Sequence, residues 1–277
     1  IVKLSISLKN IYNTNFIYFF LLLLFFIITP TKTLGWGGDN HRLISKQAYN
    51  LLEDWEKNIL SAYGDSIVNT YCLIPDLYRV EKYKEIMKPY IEIPYLKNDG
   101  IFHGGMYYAE EDRVVFDNLP DFYILTYFME NSIKYLKEKN IKEAAMYIGT
   151  LAHYIEDNAC PVHVVNNTLL TQLLPPLPGL KNFRVHSAVE RPAMKNFVIN
   201  NYPAKKLGKN VFEAVNNIIT RYNKNQLNSR AQAVPIITGI YDNDFNKSNN
   251  ARIKAAEPAA KLLADTIHTI FCLAFNK

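Results

Sequence analysis

Apolar residues recur at three- and four-residue spacing along most of the chain, the period of a helix that buries one face. The pattern predicts helices over residues 43–60, 123–138, 141–157, 185–200, 211–222 and 253–275. Sustained alternation, the mark of a half-buried strand, is scarce. The expected fold class is therefore all-α, one multi-helix domain with longer loops over 71–102 and 166–183. Pro161 should end or kink the helix before it, and Pro175, Pro176, Pro178 and Gly179 mark a loop.

The chain opens on a different pattern. Lys3 and Lys9 form a basic region, residues 16–29 a continuous apolar core, and Thr33 and Gly35 stand at the −3 and −1 positions of a cut before Trp36. The apolar run is shorter than the roughly 20 residues a spanning helix needs. Residues 1–35 thus read as a signal peptide and 36–277 as the exported domain. That leader holds three of the 31 basic residues (Lys3, Lys9, Lys32) and no acid, so 28 basic residues face 26 acidic ones in the mature part, a net charge of +2. Near-neutrality removes any argument from charge for nucleic-acid binding. Cys72, Cys160 and Cys272 are too few for a disulfide-built scaffold, so packing, and metal if present, must stabilise the domain.

The candidate chemistry lies in the histidines. Of six, five keep company with acids or with Trp36: His41, His103, His153, His163 and His186. His153 and Asp157 are four apart, as are His186 and Glu190, so on a helix each pair projects from one face about 6 Å apart along the axis. Such spacing suits two ligands to one cation, and imidazole with carboxylate suits zinc. One such pair alone is commonly a surface ion pair; two in one chain with three further histidines point to metal. Trp36 alone would be a core aromatic and Asp76 alone a turn or cap residue. Cys160 reads as a small buried residue, and His268, among Ile267, Ile270 and Phe271, as a helix residue without a ligand role.

In the order Trp36, His41, Asp76, His103, His153, Asp157, His163, His186, Glu190 the chain resembles the superfamily of zinc-dependent phospholipases C and single-strand-specific zinc nucleases. The resemblance implies an all-helical domain holding three zinc ions. Asp76, His103, His153 and Asp157 would surround the first. Trp36, through its freed amino group, His41 and the shared Asp157 would surround the second, and His163, His186 and Glu190 the third. It further implies phosphodiester hydrolysis by metal-activated water, with Asp157 bridging and Asp76 orienting the water or accepting its proton.

On the same resemblance, Glu190 as the closing ligand is more like the phospholipases, and the five-residue step from Trp36 to His41 more like the nucleases. Asp39 stands where choline-lipid-cleaving relatives carry an acid, while Phe102 precedes His103 and Gly100 stands where those relatives carry an aromatic residue. Tyr78 is a candidate wall for a base or a cationic head group. Leu169, Leu170, Leu173, Leu174, Leu177 and Leu180, between His163 and His186, could either dip into a lipid interface or cover the core. The expected activity is a secreted phospholipase C type of zinc phosphodiesterase making transient membrane-surface contact, with no obligate protein partner. A single-strand-specific zinc endonuclease or 3'-nucleotidase acting on nucleic acid is the alternative; a non-catalytic zinc-binding protein has no need of a paired centre.

Overall fold

The computed structural model describes residues 36–77, 80–87, 118–165, 174–175 and 184–277, together with the strands at 106–108 and 113–115; of the strands, 118–120 and 184 it describes only the backbone. The leader, Tyr78, Phe102 and His103 lie outside the described residues. Leu34–Lys277 form one contact unit. The class is all-α, with helices α1 (Gly38–Asn50), α2 (Asp54–Leu60), α3 (Tyr63–Asn69), α4 (Asn118–Lys137), α5 (Ile141–Asp157), α6 (Arg184–Glu190), α7 (Val211–Tyr241) and α8 (Phe245–Phe275). One small antiparallel hairpin, β1 (Met106–Tyr108) with β2 (Arg113–Val115), pairs Tyr107 with Val114.

The helix over 141–157 has the predicted bounds, and its start has a local cause: the Asn140 side chain accepts from the Glu143 N–H. Other bounds moved for physical reasons. Residues 43–60 form two helices, because the Glu53 and Glu56 side chains make a reciprocal capping box that starts α2 afresh. The helix expected over 185–200 stops at Glu190. Beyond it Pro192 lacks an N–H, and the N–H groups of Met194, Lys195 and Ile199 donate instead to the side chains of Asn40, Asn249 and Gln47. Three amides thus find partners on other helices rather than four residues back.

The last two helices are longer than predicted, and each contains a proline, Pro235 in α7 and Pro258 in α8. A proline inside a helix costs about 3 kcal/mol. Burial on both sides offsets it: Ala233, Ile236 and Ile237 flank Pro235, and Ala255, Ala256, Ala259 and Ala260 flank Pro258. Asp244 caps the start of α8 by accepting from the Lys247 N–H. By length and composition α8 could cross a membrane, yet 72% of its most apolar window is buried within the protein, as in a core helix.

Two apolar clusters form the interior. One gathers Ala48, Leu60, Ile67, Phe128, Leu151, Ile155, Ile218 and Phe271; the other gathers Trp36, Ile44, Cys160, Val185, Val189, Ile236 and Ala256. α1 feeds the second through Ile44 and the first through Ala48. The α5 segment does the same, through Ile155 and then through Ala159 beyond its end. From Tyr147 to Asp157 every residue of α5 is buried, so over that stretch it is a central helix with no solvent face.

Gly149 lets α5 approach the 3-10 turn Tyr71–Leu73: a Cβ added there would lie 2.8 Å from the Tyr71 carbonyl carbon and 3.0 Å from its Cα. Backbone cannot yield as a flexible side-chain end can. Gly149→Ala is therefore expected to destabilise the fold by about 1–3 kcal/mol, the range for overpacking, and equilibrium urea unfolding checks it. An unchanged midpoint would mean that the turn can move away at little cost.

Candidate metal centre

α5 turns His153, Glu156 and Asp157 inward at its C-terminal end, all three fully buried. Two carboxylates at that end are electrostatically unfavourable, because the unpaired carbonyls there already carry negative partial charge. Burying a carboxylate costs several kcal/mol unless its charge is compensated. The described contacts of this pair are to imidazoles, a hydroxyl and backbone N–H.

The two oxygens of Asp157 face different partners. Oδ1 lies 3.3 Å from His41 Nε2 and accepts from the Trp36 N–H at 3.2 Å. Oδ2 lies 3.2 Å from His153 Nε2, and Asp76 Oδ1 stands 3.9 Å from the same nitrogen. The two imidazoles stack with ring centroids 4.0 Å apart and 15° between planes.

What lies behind each ring determines its tautomer. His153 Nδ1 is 2.6 Å from the Cys72 carbonyl oxygen, which can only accept, so Nδ1 carries the hydrogen. In the neutral ring Nε2 is then a bare lone pair facing carboxylate oxygens. An acceptor facing an acceptor needs a proton or a cation between them. His41 repeats the arrangement: Nδ1 lies 2.6 Å from Glu156 Oε2, whose other oxygen accepts from Ser45 Oγ at 2.6 Å, and the buried Nε2 faces Asp157 Oδ1 at 3.3 Å. Burial lowers the His41 pKa, but the Asp157 charge and then hydrogen bonds to Asp157 and Glu156 outweigh it and push it up to about 10. Without metal the ring holds a proton at neutral pH, which a cation would displace.

A second group of donors gathers around Glu190. Its Oε1 lies 2.5 Å from His186 Nε2, one turn earlier on α6, and 3.8 Å from His163 Nε2 in the 3-10 turn Pro161–His163. Burial lowers the His163 pKa, and Asp157 and Glu190 reverse that, so the net shift is upward. The side chains of His163 and His186 are 13% and 22% exposed whereas those of His41 and His153 are fully buried, so this group lies nearer solvent. Two sets among the described residues could thus hold a metal ion: His41, His153 and Asp157, and Cys160, His163 and Glu190, with the donor atoms of each within 4.8 Å of one another.

The two groups are coupled through the start of α1. Asn40 is fully buried, and its amide donates to the carbonyls of Glu190 and Pro192 while its oxygen accepts from Met194. Gly37 donates to the Glu190 carbonyl, and a Cβ on it would sit 3.2 Å from that oxygen, so glycine permits the approach. Trp36 follows in place, buried, with its indole N–H on the Glu156 carbonyl.

Eight of the nine sequence-predicted ligands are described: His41, His153, Asp157, His163 and Glu190 belong to these two sets, while Trp36 contacts Asp157, Asp76 lies 3.9 Å from His153 and His186 pairs with Glu190; the ninth, His103, lies outside the described residues. Among the substrate candidates, Asp39 is exposed and pairs with Arg42 at 3.0 Å, and no described contact joins it to either group. Tyr78 and Phe102 lie outside the described residues, as does most of the leucine-rich loop; Leu174 packs against the second apolar cluster. His268 bonds Glu56 at 2.8 Å, away from both groups. The cysteines are all free and buried.

Sequence reading missed Glu156, Asn40 and Ser45. One signal was present, since Ser45 stands four after His41 and so shares its helix face, but nothing in the sequence says that Glu156 lies opposite them.

Asp157→Asn is expected to lower bound divalent metal by at least one ion per chain, since the amide brings no charge where one carboxylate faces two imidazoles. Metal analysis by mass spectrometry of protein purified in parallel checks it. Full retention of metal would rule out Asp157 as a shared ligand.

No family model, no curated protein and no solved structure matches this chain. The assignment of a candidate metal centre rests on the donor geometry of its own residues.

Proposed function

We propose that residues 36–277 form a secreted zinc phosphodiesterase of phospholipase C type, with three zinc ions per chain. The observation that carries the reading is the division of Asp157, one oxygen towards His41 and the Trp36 nitrogen, the other towards His153 and Asp76. A buried carboxylate with an imidazole Nε2 on each side, the His41 proton being one that a cation would displace, fits a pair of cations, and the nitrogen and oxygen donors suit zinc. Bound there, zinc supplies Lewis acidity that polarises a phosphoryl oxygen and lowers the pKa of water to about 7.

The remaining steps belong to the chain. Glu156 and the Cys72 carbonyl hold the two imidazoles in the tautomer that presents Nε2, and Ser45 holds Glu156. Asp76 would orient water or accept its proton, a role supported by its being partly buried and farther from His153 than Asp157 is. Fully buried His41 and His153 keep bulk water from the inner side, where charge interactions are strongest. The closing Glu190 and the leucine-rich segment before α6 favour a phospholipid over a nucleic acid, and the near-neutral domain lacks the excess positive charge of a polynucleotide track.

Protein tested side by side on phosphatidylcholine vesicles and on single-stranded DNA and RNA should release phosphocholine, lose that activity to a chelator, and regain it with zinc. Cleavage of nucleic acid alone would replace the lipid reading with the nuclease one, and no chelator-sensitive hydrolysis of either would end the phosphodiesterase proposal.

The Trp36 nitrogen makes a further demand. Within a peptide bond it has no lone pair to give, whereas an α-amino group, with a reference pKa of about 7.7–8.0, can exchange its proton for metal near neutrality. Protein beginning at Trp36 should therefore bind zinc more tightly and turn over faster than protein carrying one extra glycine before it. Equal zinc affinity in the two forms would leave Trp36 as a core aromatic only.

A further inference from the structure

The donors around Glu190 include an atom that the functional reading leaves unused. Cys160 is fully buried, and its sulfur lies within 4.8 Å of the ligand atoms of both His163 and Glu190. The backbone accounts for the approach. Cys160 precedes the 3-10 turn Pro161–His163, and the His163 N–H donates to the Cys160 carbonyl at 3.0 Å. The thiol and the imidazole thereby come close to each other and to Glu190 of α6. From there Glu190 reaches across, with His186 Nε2 at 2.5 Å from its Oε1.

We propose that Cys160 is a metal ligand, so that one ion is enclosed by the sulfur of Cys160, the imidazoles of His163 and His186 and the carboxylate of Glu190. The proposal rests on the reading that this chain loads zinc, and it changes the role of the third ion. Zinc takes sulfur at about 2.3 Å and nitrogen or oxygen at about 2.0–2.2 Å, so tetrahedral donors stand roughly 3.5 Å apart. The donor atoms of Cys160, His163 and Glu190, already within 4.8 Å of one another, need only small side-chain rotations to reach that spacing, and His186 Nε2 stands beside Glu190 as the fourth. On binding, the Cys160 S–H bond breaks, its proton passes to solvent and a sulfur–metal bond forms, with no change of oxidation state. Thiolate and carboxylate together then balance the two positive charges of the ion.

Four protein donors leave no open position, and a closed set is the mark of a structural zinc. The ion would tie the turn after α5 to α6, and through the Glu190 carbonyl to Asn40 and Gly37 at the start of α1. Its task becomes holding Trp36 and His41 against Asp157. Thiolate also separates the two sites by cation preference: the soft donor favours zinc or cadmium over magnesium or manganese, whereas the paired centre offers only nitrogen and oxygen. The partly exposed rings of His163 and His186 provide the way in for an ion.

Cobalt(II) is the probe. Protein stripped of metal and reloaded with cobalt should show a near-ultraviolet sulfur-to-cobalt charge-transfer band. The band should persist in Cys72→Ala and Cys272→Ala, and Cys160→Ser should lose both the band and one bound cobalt per chain. X-ray absorption on zinc-loaded wild type gives the same answer without a variant, should Cys160→Ser not fold: a sulfur contribution at about 2.3 Å. Cobalt bound with no charge-transfer band, or zinc with no sulfur contribution, would overturn the Cys160 ligand and leave the metalloenzyme reading standing. A chain that binds neither metal would overturn both.

Discussion

The structure turns on one carboxylate that is buried where it is least welcome. Asp157 sits at the C-terminal end of a helix whose last eleven residues are all buried, beside a second buried acid, with an imidazole on each side. Each of those circumstances disfavours negative charge except the last. Positive charge between Asp157 and the two imidazoles, whether proton or metal, is therefore required by the fold itself, and much of the surrounding polar structure exists to present the right atoms to that space.

That requirement explains hydrogen bonds otherwise hard to account for in an apolar interior. Glu156 and Ser45 fix one ring, and a backbone carbonyl at Cys72 fixes the other. Such outer partners set the tautomer and increase the basicity of the donor nitrogen. They come from α1, α5 and the turn after α3, so the centre is assembled only when three separate segments have packed. Gly149, by letting that turn meet α5 closely, helps to bring the Cys72 carbonyl to His153 although it has no polar side chain.

Asn40 and Glu190 extend the same logic to the second group. The Glu190 side chain faces the histidines while its carbonyl receives Asn40 and Gly37, so one residue joins the outer donors to the chain entering the buried centre. Arg252 reinforces this corner by donating to the carbonyls of Ala188 and Val189 near the end of α6. A short helix of seven residues would be marginal alone; here it is held by groups from α1 and α8.

The sequence by itself determined the class, through helical periodicity, and which candidate metal donors share a face, through His and acid at four-residue spacing. Both are local properties: a helix repeats every 3.6 residues whatever surrounds it, so His153 with Asp157 and His186 with Glu190 had to share faces. Tertiary structure decided what depends on partners distant in the chain. Residues 191–200 are not helical because Asn40, Gln47 and Asn249 capture their amides, and α7 and α8 run through prolines because burial on both sides outweighs a lost hydrogen bond. Only packing could bring Glu156 to His41, 115 positions away, and Cys160 to Glu190. Spacing reports which side chains share a face; which faces then meet is determined by the burial of two apolar clusters.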